Sequence, residues 1–441
     1  MSSQTLPPPS LSGLRGTASP PKAAITPLWA AFLFTFLNSV GCMTVTSNAL
    51  FFITKQGYHF SENQNSFLGV LLGVTYIVGA LCASRVPRLL KRLFPRLTQR
   101  GVLATFMVCL AALACVPVLG GFLDSDPARP STWPIWTIVL CYTPITGMLW
   151  PIVESYISGG RKAGPLRSTI GRWNIVWSSS GVFASLLVAP LVEKNASLVL
   201  ACVGVGHLLA AGVLTRFTPF PAPHVHEEHA ATPPVYAKLL VTFRMLLPMS
   251  YVVCSALGPY LPSAAVQLHV AESAQAMIAI AWLLPRVCGF ILMQRWQGWH
   301  GRWFVPILGG LVLIGGFSIA ITATSLPGWL GVGDSIGLFA LIAGLALFGL
   351  GMSIIYAGAI YYAMEVGQAE VDAGGTHEAL IGVGYMAGPA FLLFAGLAVS
   401  NHLLAPESYN PVVLASVLVV ALATAIAVVL RVAAHSKPDQ A

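Results

Sequence analysis

Long, nearly uninterrupted apolar stretches alternate with short polar breaks along the whole chain. A membrane-crossing helix needs ~20 mostly apolar residues. A window of that length finds twelve: 28 to 54, 64 to 84, 101 to 123, 135 to 158, 171 to 193, 197 to 215, 245 to 268, 274 to 293, 304 to 325, 335 to 362, 376 to 398 and 410 to 430. We number these spans 1 to 12. The break between spans 5 and 6 is the shortest, only Glu193, Lys194 and Asn195. The pattern predicts an all-α membrane protein of twelve helices.

Composition sharpens this reading. Of the 441 residues only 9% are charged, against about 25% in soluble domains, so no water-facing surface of ordinary size is available. Apolar residues reach 56%, and the 42 glycines suit spanning helices, which use Gly freely. The eight cysteines, from Cys42 to Cys288, fall in apolar runs without CxxC spacing, which argues against a disulfide framework, a metal cluster or a cofactor bound through thiols. Residues 1 to 27 are rich in Pro and Ser, carry Arg15 and Lys22, and lack the apolar core of a signal peptide. They read as a disordered cytoplasmic tail.

The net charge of +8 comes from topology, so no nucleic-acid partner is expected. Lys and Arg gather in cytoplasmic loops, and placing the N-terminus inside puts nineteen of the 23 on that side. The outer loops hold only Lys55, Arg129 and Lys194, and Arg286 lies within span 8. An even number of spans, with both ends in the cytoplasm and the chain in the plasma (inner) membrane, follows.

Between spans 6 and 7, residues 217 to 238 turn abruptly to Pro, His and Glu, the composition of a solvated linker. His224, His226 and His229 read as part of that linker in preference to a metal site. The expected organisation is a tail (1–27), a first six-helix bundle (28–216), the linker (217–238), a second bundle (239–432) and a short tail (433–441). The halves repeat. Asn38 to Gly41 overlie Ser255 to Gly258 at an offset of 217, Tyr76 falls opposite Arg286 at 210, and Gly147 opposite Gly351 at 204. Three matches in order, with like topology, indicate two duplicated bundles in parallel orientation.

With this architecture, and with GALCASRVPRLLKR from Gly79 standing between spans 2 and 3, the chain resembles the major facilitator superfamily of secondary transporters over residues 28 to 432. Ala83 or Ser84 occupies the place of that motif's Asp, so a gating pair carried by the Asp does not transfer. The segment from Gly289 shows the same loss. The Gly-Pro antiporter motif of span 5 is replaced by Ser179 to Pro190, and a Gly388-Pro389 pair occurs in span 11. The resemblance implies one polar site between the bundles, exposed alternately to either side. Spans 1, 4, 7 and 10 would line it, 2, 5, 8 and 11 would flank it, and 3, 6, 9 and 12 would face lipid.

Candidate residues follow from the polar groups on those spans. Asn38, with Thr44 and Asn48, supplies span 1 with amides and a hydroxyl that serve either a substrate or interhelical packing. Asn174 and Trp177 share a face of span 5, Trp173 reads as an interfacial anchor, and Tyr356 is a candidate wall on span 10. Only Glu154 and Arg286 put a full charge well inside a span, at a cost of at least about 2.5 to 3.5 kcal/mol each. The Arg286 fork, opposite Tyr76, suits a carboxylate or phosphate, or else an internal Glu. Glu154 either carries a coupling proton or pairs with Arg172. His207 reads as structural. After span 4 the chain carries Arg161, Lys162, Arg167 and Arg172, whereas after span 10 it carries Glu365, Glu370, Asp372 and Glu378. This sign inversion predicts a gate of ion pairs between the halves, which Arg85 and Arg88 would join.

The expected function is alternating-access transport of a small solute, anionic or zwitterionic, by a monomer, with the proton as candidate coupling ion. Two other classes stay open. A sensor or scaffold on the transporter fold fits the same sequence, because fold does not fix function. A multipass transferase would need a catalytic constellation that no loop supplies, so the chain does not read as an enzyme.

Overall fold

The computed structural model describes residues 24 to 434, except 125–129, 162, 193–194, 224–232, 332 and 367–370. The His-rich part of the expected linker, Glu370 and most of both expected tails therefore lie outside the described residues. Among the described residues twelve helices are long and apolar enough to cross a membrane. They are α1 (Leu28–Thr46), α2 (Glu62–Cys82), α3 (Gln99–Leu123), α4 (Trp133–Ser158), α5 (Ala163–Val192), α6 (Ala196–Val213), α7 (Pro234–Gln267), α8 (Ile280–Arg295), α9 (Phe304–Thr322), α10 (Asp334–Val366), α11 (Val371–Ser400) and α12 (Tyr409–Ala434). They correspond one to one with the twelve apolar windows. We call the face reached by the start of α1 and the end of α12 the basic face, and the opposite one the distal face.

Several boundaries lie outside the apolar windows, because a helix continues for one or two turns beyond the apolar part of its sequence. Helix α5 begins at Ala163, so Arg167 and Arg172 are helical. Helix α7 begins at Pro234 and takes up the last residues of the expected linker. Helix α11 begins at Val371, which puts Glu378 two turns inside a helix and corrects its assignment to a loop. The loop after α2 folds as a short helix, Arg85–Leu93, with one strongly basic face.

Local chemistry explains the breaks. Ser61 opens α2 with a reciprocal capping box to Gln64. Helix α1 ends at Ser47 and resumes as Asn48–Gly57. Approaching that break, Thr44, Thr46 and Ser47 turn their hydroxyls back onto the carbonyls of Val40, Cys42 and Met43, a pattern that competes with the helical ladder and bends it. His59 and His269 take the same left-handed φ of 54° and are separated by the 210 residues that set Tyr76 opposite Arg286, so the duplication extends into the turns.

Helices α7 and α12 mark the extremes of burial. In α7 72% of the most apolar window is buried, against 11% in α12, whose Val419, Leu422, Val429 and Leu430 face outward. Within each half α3 packs on α6 and α9 on α10, and the halves meet through α2 with α11 and through α5 with α8. The α2–α11 seam requires small residues. A β-carbon on Gly73 would lie 2.2 Å from the backbone nitrogen of Met386, and one on Gly69 2.7 Å from the Pro389 ring, so only glycine lets these backbones approach.

Candidate functional site

Two small cavities lie at the centre of the molecule, one behind the other along its axis. The distal one, about 40 Å³, is bounded by Asn48, Trp282 and Arg286. The other, about 50 Å³ and nearer the basic face, is bounded by Tyr76, Trp150, Tyr356 and Glu378. Trp177, Tyr251 and Tyr385 line both. Each has room for a water molecule or so and is far below the roughly 300 Å³ at which ligand pockets begin. A cleft of about 380 Å³ opens toward the basic face among Arg167, Asn174, Gln294, Gln297, His300 and Tyr361.

Arg286 dominates the distal cavity. It is 2% exposed, and its guanidinium carbon lies 4.5 Å from the ring centre of Trp177 and 5.6 to 5.7 Å from those of Trp282, Phe290 and Tyr356. These ring faces stabilise a cation but accept no conventional hydrogen bond. Its Nε and Nη2 have no partner, and neither do Trp282 Nε1 and Asn48 Nδ2 at the same cavity. Among the described residues no carboxylate lies within ion-pair distance of it. The internal Glu partner that was one sequence reading is thus absent among them. The unpartnered polar atoms of the cavity wall are all hydrogen-bond donors.

The cavity nearer the basic face has the opposite character. The Tyr76 hydroxyl donates across the two halves to Glu378 Oε2 at 2.5 Å, and Glu378 is 5% exposed. Glu154 lies close enough for the two carboxylates to interact electrostatically. The expected pairing of Glu154 with Arg172 is corrected: the two form no ion pair among the described residues, and Arg172 is exposed on α5. Trp173 is corrected too. With α5 starting eight residues before the expected span, it is 3% exposed, not interfacial, and its indole donates to Thr35 Oγ1 at 3.1 Å.

Tyr76, Trp177, Arg286 and Tyr356 come together at this centre. Asn38 does not line it; it is buried behind the wall, accepting from Cys42 Sγ at 3.7 Å. Asn174 lines the basic-side cleft and accepts from Trp177 Nε1 at 3.0 Å. Sequence reasoning passed over Trp282, Tyr251 and Tyr385, which as aromatic residues in apolar helices resemble ordinary core.

At the basic face one ion pair among the described residues joins the halves, Arg167 Nε to Glu365 Oε1 at 2.6 Å. Of the other residues expected at a gate, Arg161 is spent locally: its guanidinium donates to the carbonyls of Tyr156, Ile157, Gly159 and Thr26, closing the end of α4. Arg88 binds Ser84, and neither it nor Arg85 forms an ion pair among the described residues. Nearby, His300 stacks on Tyr361 at 4.2 Å. Burial first, and then the Arg167 charge, push its pKa below the ordinary histidine value. At the distal face Gln56 donates to Gln275 Oε1 at 2.8 Å and Asn63 to Ser400 Oγ at 3.1 Å. Side-chain contacts thus bridge the halves at both ends.

No family profile and no curated protein sequence matches this chain. Solved structures do. The nucleoside transporter NupG superimposes with a TM-score of 0.55 at 12% identity, over 93% of this chain and 99% of that one. A bacterial homologue of the human lysosomal transporter Spinster, in an inward-facing, occupied conformation, gives 0.52 at 16%, over 91% and 94%. The human organic anion transporter MFSD10 gives 0.52 at 14%, over 92% and 100%. The chain is a multi-pass membrane protein with the fold of the major facilitator superfamily.

Proposed function

We propose that the protein is a secondary transporter that carries a small solute with an anionic group across the membrane by alternating access. One observation carries the reading: a permanently charged guanidinium, buried at the meeting point of the halves, has donors left over and no carboxylate partner among the described residues. A charge desolvated in this way costs several kcal/mol unless a counter-charge arrives, and an anionic solute supplies one through the planar fork. The organic anion transporter among the structural neighbours agrees with this chemistry. In such a cycle the halves rock apart on either side of this centre in turn. By the distribution of Lys and Arg, the basic face is cytoplasmic. A proton is the candidate coupling ion.

Purified protein in liposomes, given a panel of labelled organic anions with and without a pH gradient, tests this. Saturable uptake that Arg286→Ala abolishes is the expected result. A panel with no uptake by the native chain would favour a sensor on the same fold.

A further inference from the structure

We propose that the two central cavities are the ends of one dipolar site, in which Arg286 takes the carboxylate of a zwitterionic solute and Glu378 takes its ammonium. The inference rests on the anionic reading above and extends it to the other half of the substrate.

Complementary polarity is the first argument. In the distal cavity the polar atoms left without a partner are donors, on Arg286, Trp282 and Asn48. The other cavity presents Glu378, whose single hydrogen bond among the described residues comes from Tyr76, with a second carboxylate, Glu154, within electrostatic reach. No Lys or Arg pairs with either carboxylate among the described residues. A guanidinium and two carboxyl groups therefore face a common centre with no ion pair between them among the described residues. An ammonium brings three donors and no acceptor, which suits the Glu378 carboxylate and the ring face of Tyr356 beside it.

The partition between the cavities is the second argument. Met43, Thr46, Trp177, Tyr251 and Tyr385 border both, so side chains alone separate them. Rotamer changes in that wall would join the two spaces into one, and neither space alone admits an organic solute. Because the wall is mostly aromatic, the middle of the substrate is apolar or flat.

The experiment uses the full chain in detergent, with thermal protection read from tryptophan fluorescence. The probes are the ω-amino acids from glycine to 6-aminohexanoate and 4-(aminomethyl)benzoate, each with its N-acetyl derivative, which keeps only the carboxylate, and its methyl ester, which keeps only the ammonium. At least one zwitterion is expected to bind tenfold or more tightly than both of its derivatives. Glu378→Gln is expected to erase the advantage over the N-acetyl anion, and Arg286→Gln the advantage over the methyl ester. Both variants should elute as the native protein does. Failure of every zwitterion to protect overturns the proposal. If Arg286→Gln weakens the anions while Glu378→Gln leaves the tenfold amine preference intact, only the dipolar inference falls. If Arg286→Gln leaves N-acetyl anion binding unchanged, the anionic reading falls with it. If Glu378→Gln binds every zwitterion as the native chain does and, in the liposome uptake assay, loses only the dependence on the pH gradient, that residue is a proton carrier and its assignment to the ammonium is overturned.

Discussion

Arg167 and Glu365 meet at 2.6 Å across the two halves of the molecule, joining α5 to the last turn of α10 at the basic face. Arg167 is 43% exposed, and partly exposed pairs of this kind contribute about 0 to 1 kcal/mol. Removing one partner should therefore raise the population open at the basic face by up to about fivefold, since ~1.4 kcal/mol is a factor of ten. Distances between spin labels on the loops after α4 and α10 read that population. Glu365→Gln should broaden the distribution toward longer distances. The charge-swapped pair Arg167→Glu with Glu365→Arg should restore the short one. A Glu365→Gln distribution identical to the native one at low salt would refute the gate.

His300 should make the same face sensitive to pH. Burial and the charge of Arg167 hold its pKa below the ordinary value, so the closed arrangement prefers the neutral ring. The preference is fully present above the ordinary histidine pKa and is lost as pH falls below it, where the open or unfolded state binds the proton more readily. Lowering pH from 7.5 to 5.5 is expected to lengthen the spin-label distances, and His300→Gln should remove most of that response. An equal response in the variant would assign it elsewhere.

Gly171 offers a steric test of closure. A β-carbon there would lie 1.3 Å from Gln294 Oε1, the end of a flexible side chain, so Gly171→Ala should fold normally but keep α5 away from α8. Labelling of a cysteine placed at Asn174 by a membrane-impermeant maleimide is predicted to accelerate severalfold in Gly171→Ala. Gly73→Ala should behave differently, because its β-carbon meets the Met386 backbone. There the whole α2–α11 seam must shift, and a lower melting temperature is the expected readout.

Arg286→Lys keeps the charge and discards the fork. If the guanidinium binds a carboxylate through two parallel bonds, the variant should bind the best anion of the liposome panel at least tenfold more weakly, with Arg286→Ala weaker still. Binding equal to that of the native chain in both variants would exclude the anchor.

Cysteine accessibility tests the orientation. On a Cys-free background, positions Asn63 and Asp334 are expected to label from outside, and Arg92 only after permeabilisation. Labelling of Arg92→Cys from the outer face would invert the topology.

The apolar windows alone determined the twelve helices and the fold class, because a spanning segment must satisfy its own backbone and stay apolar over a set length, both of which are local properties. The two buried charges, Glu154 and Arg286, were equally legible, since a charge inside a span is conspicuous against its neighbours. Glu378 was not, because it stands only three residues into its apolar window, where it reads as the end of the acidic stretch that begins at Glu365. Which Arg meets Glu365 was also open in the sequence. Four basic residues near the end of α4 qualify by charge, and the backbone path chose Arg167 by sending Arg161 to cap α4 and leaving Arg172 exposed. Likewise Trp177, Tyr251 and Tyr385 read as core aromatics, and only the packing of α5, α7 and α11 around one point turns them into a wall between Arg286 and Glu378. Partnership across the halves depends on the rotation and depth of helices hundreds of residues apart, which local hydrophobicity does not encode and close packing at Gly69, Gly73 and Gly171 does.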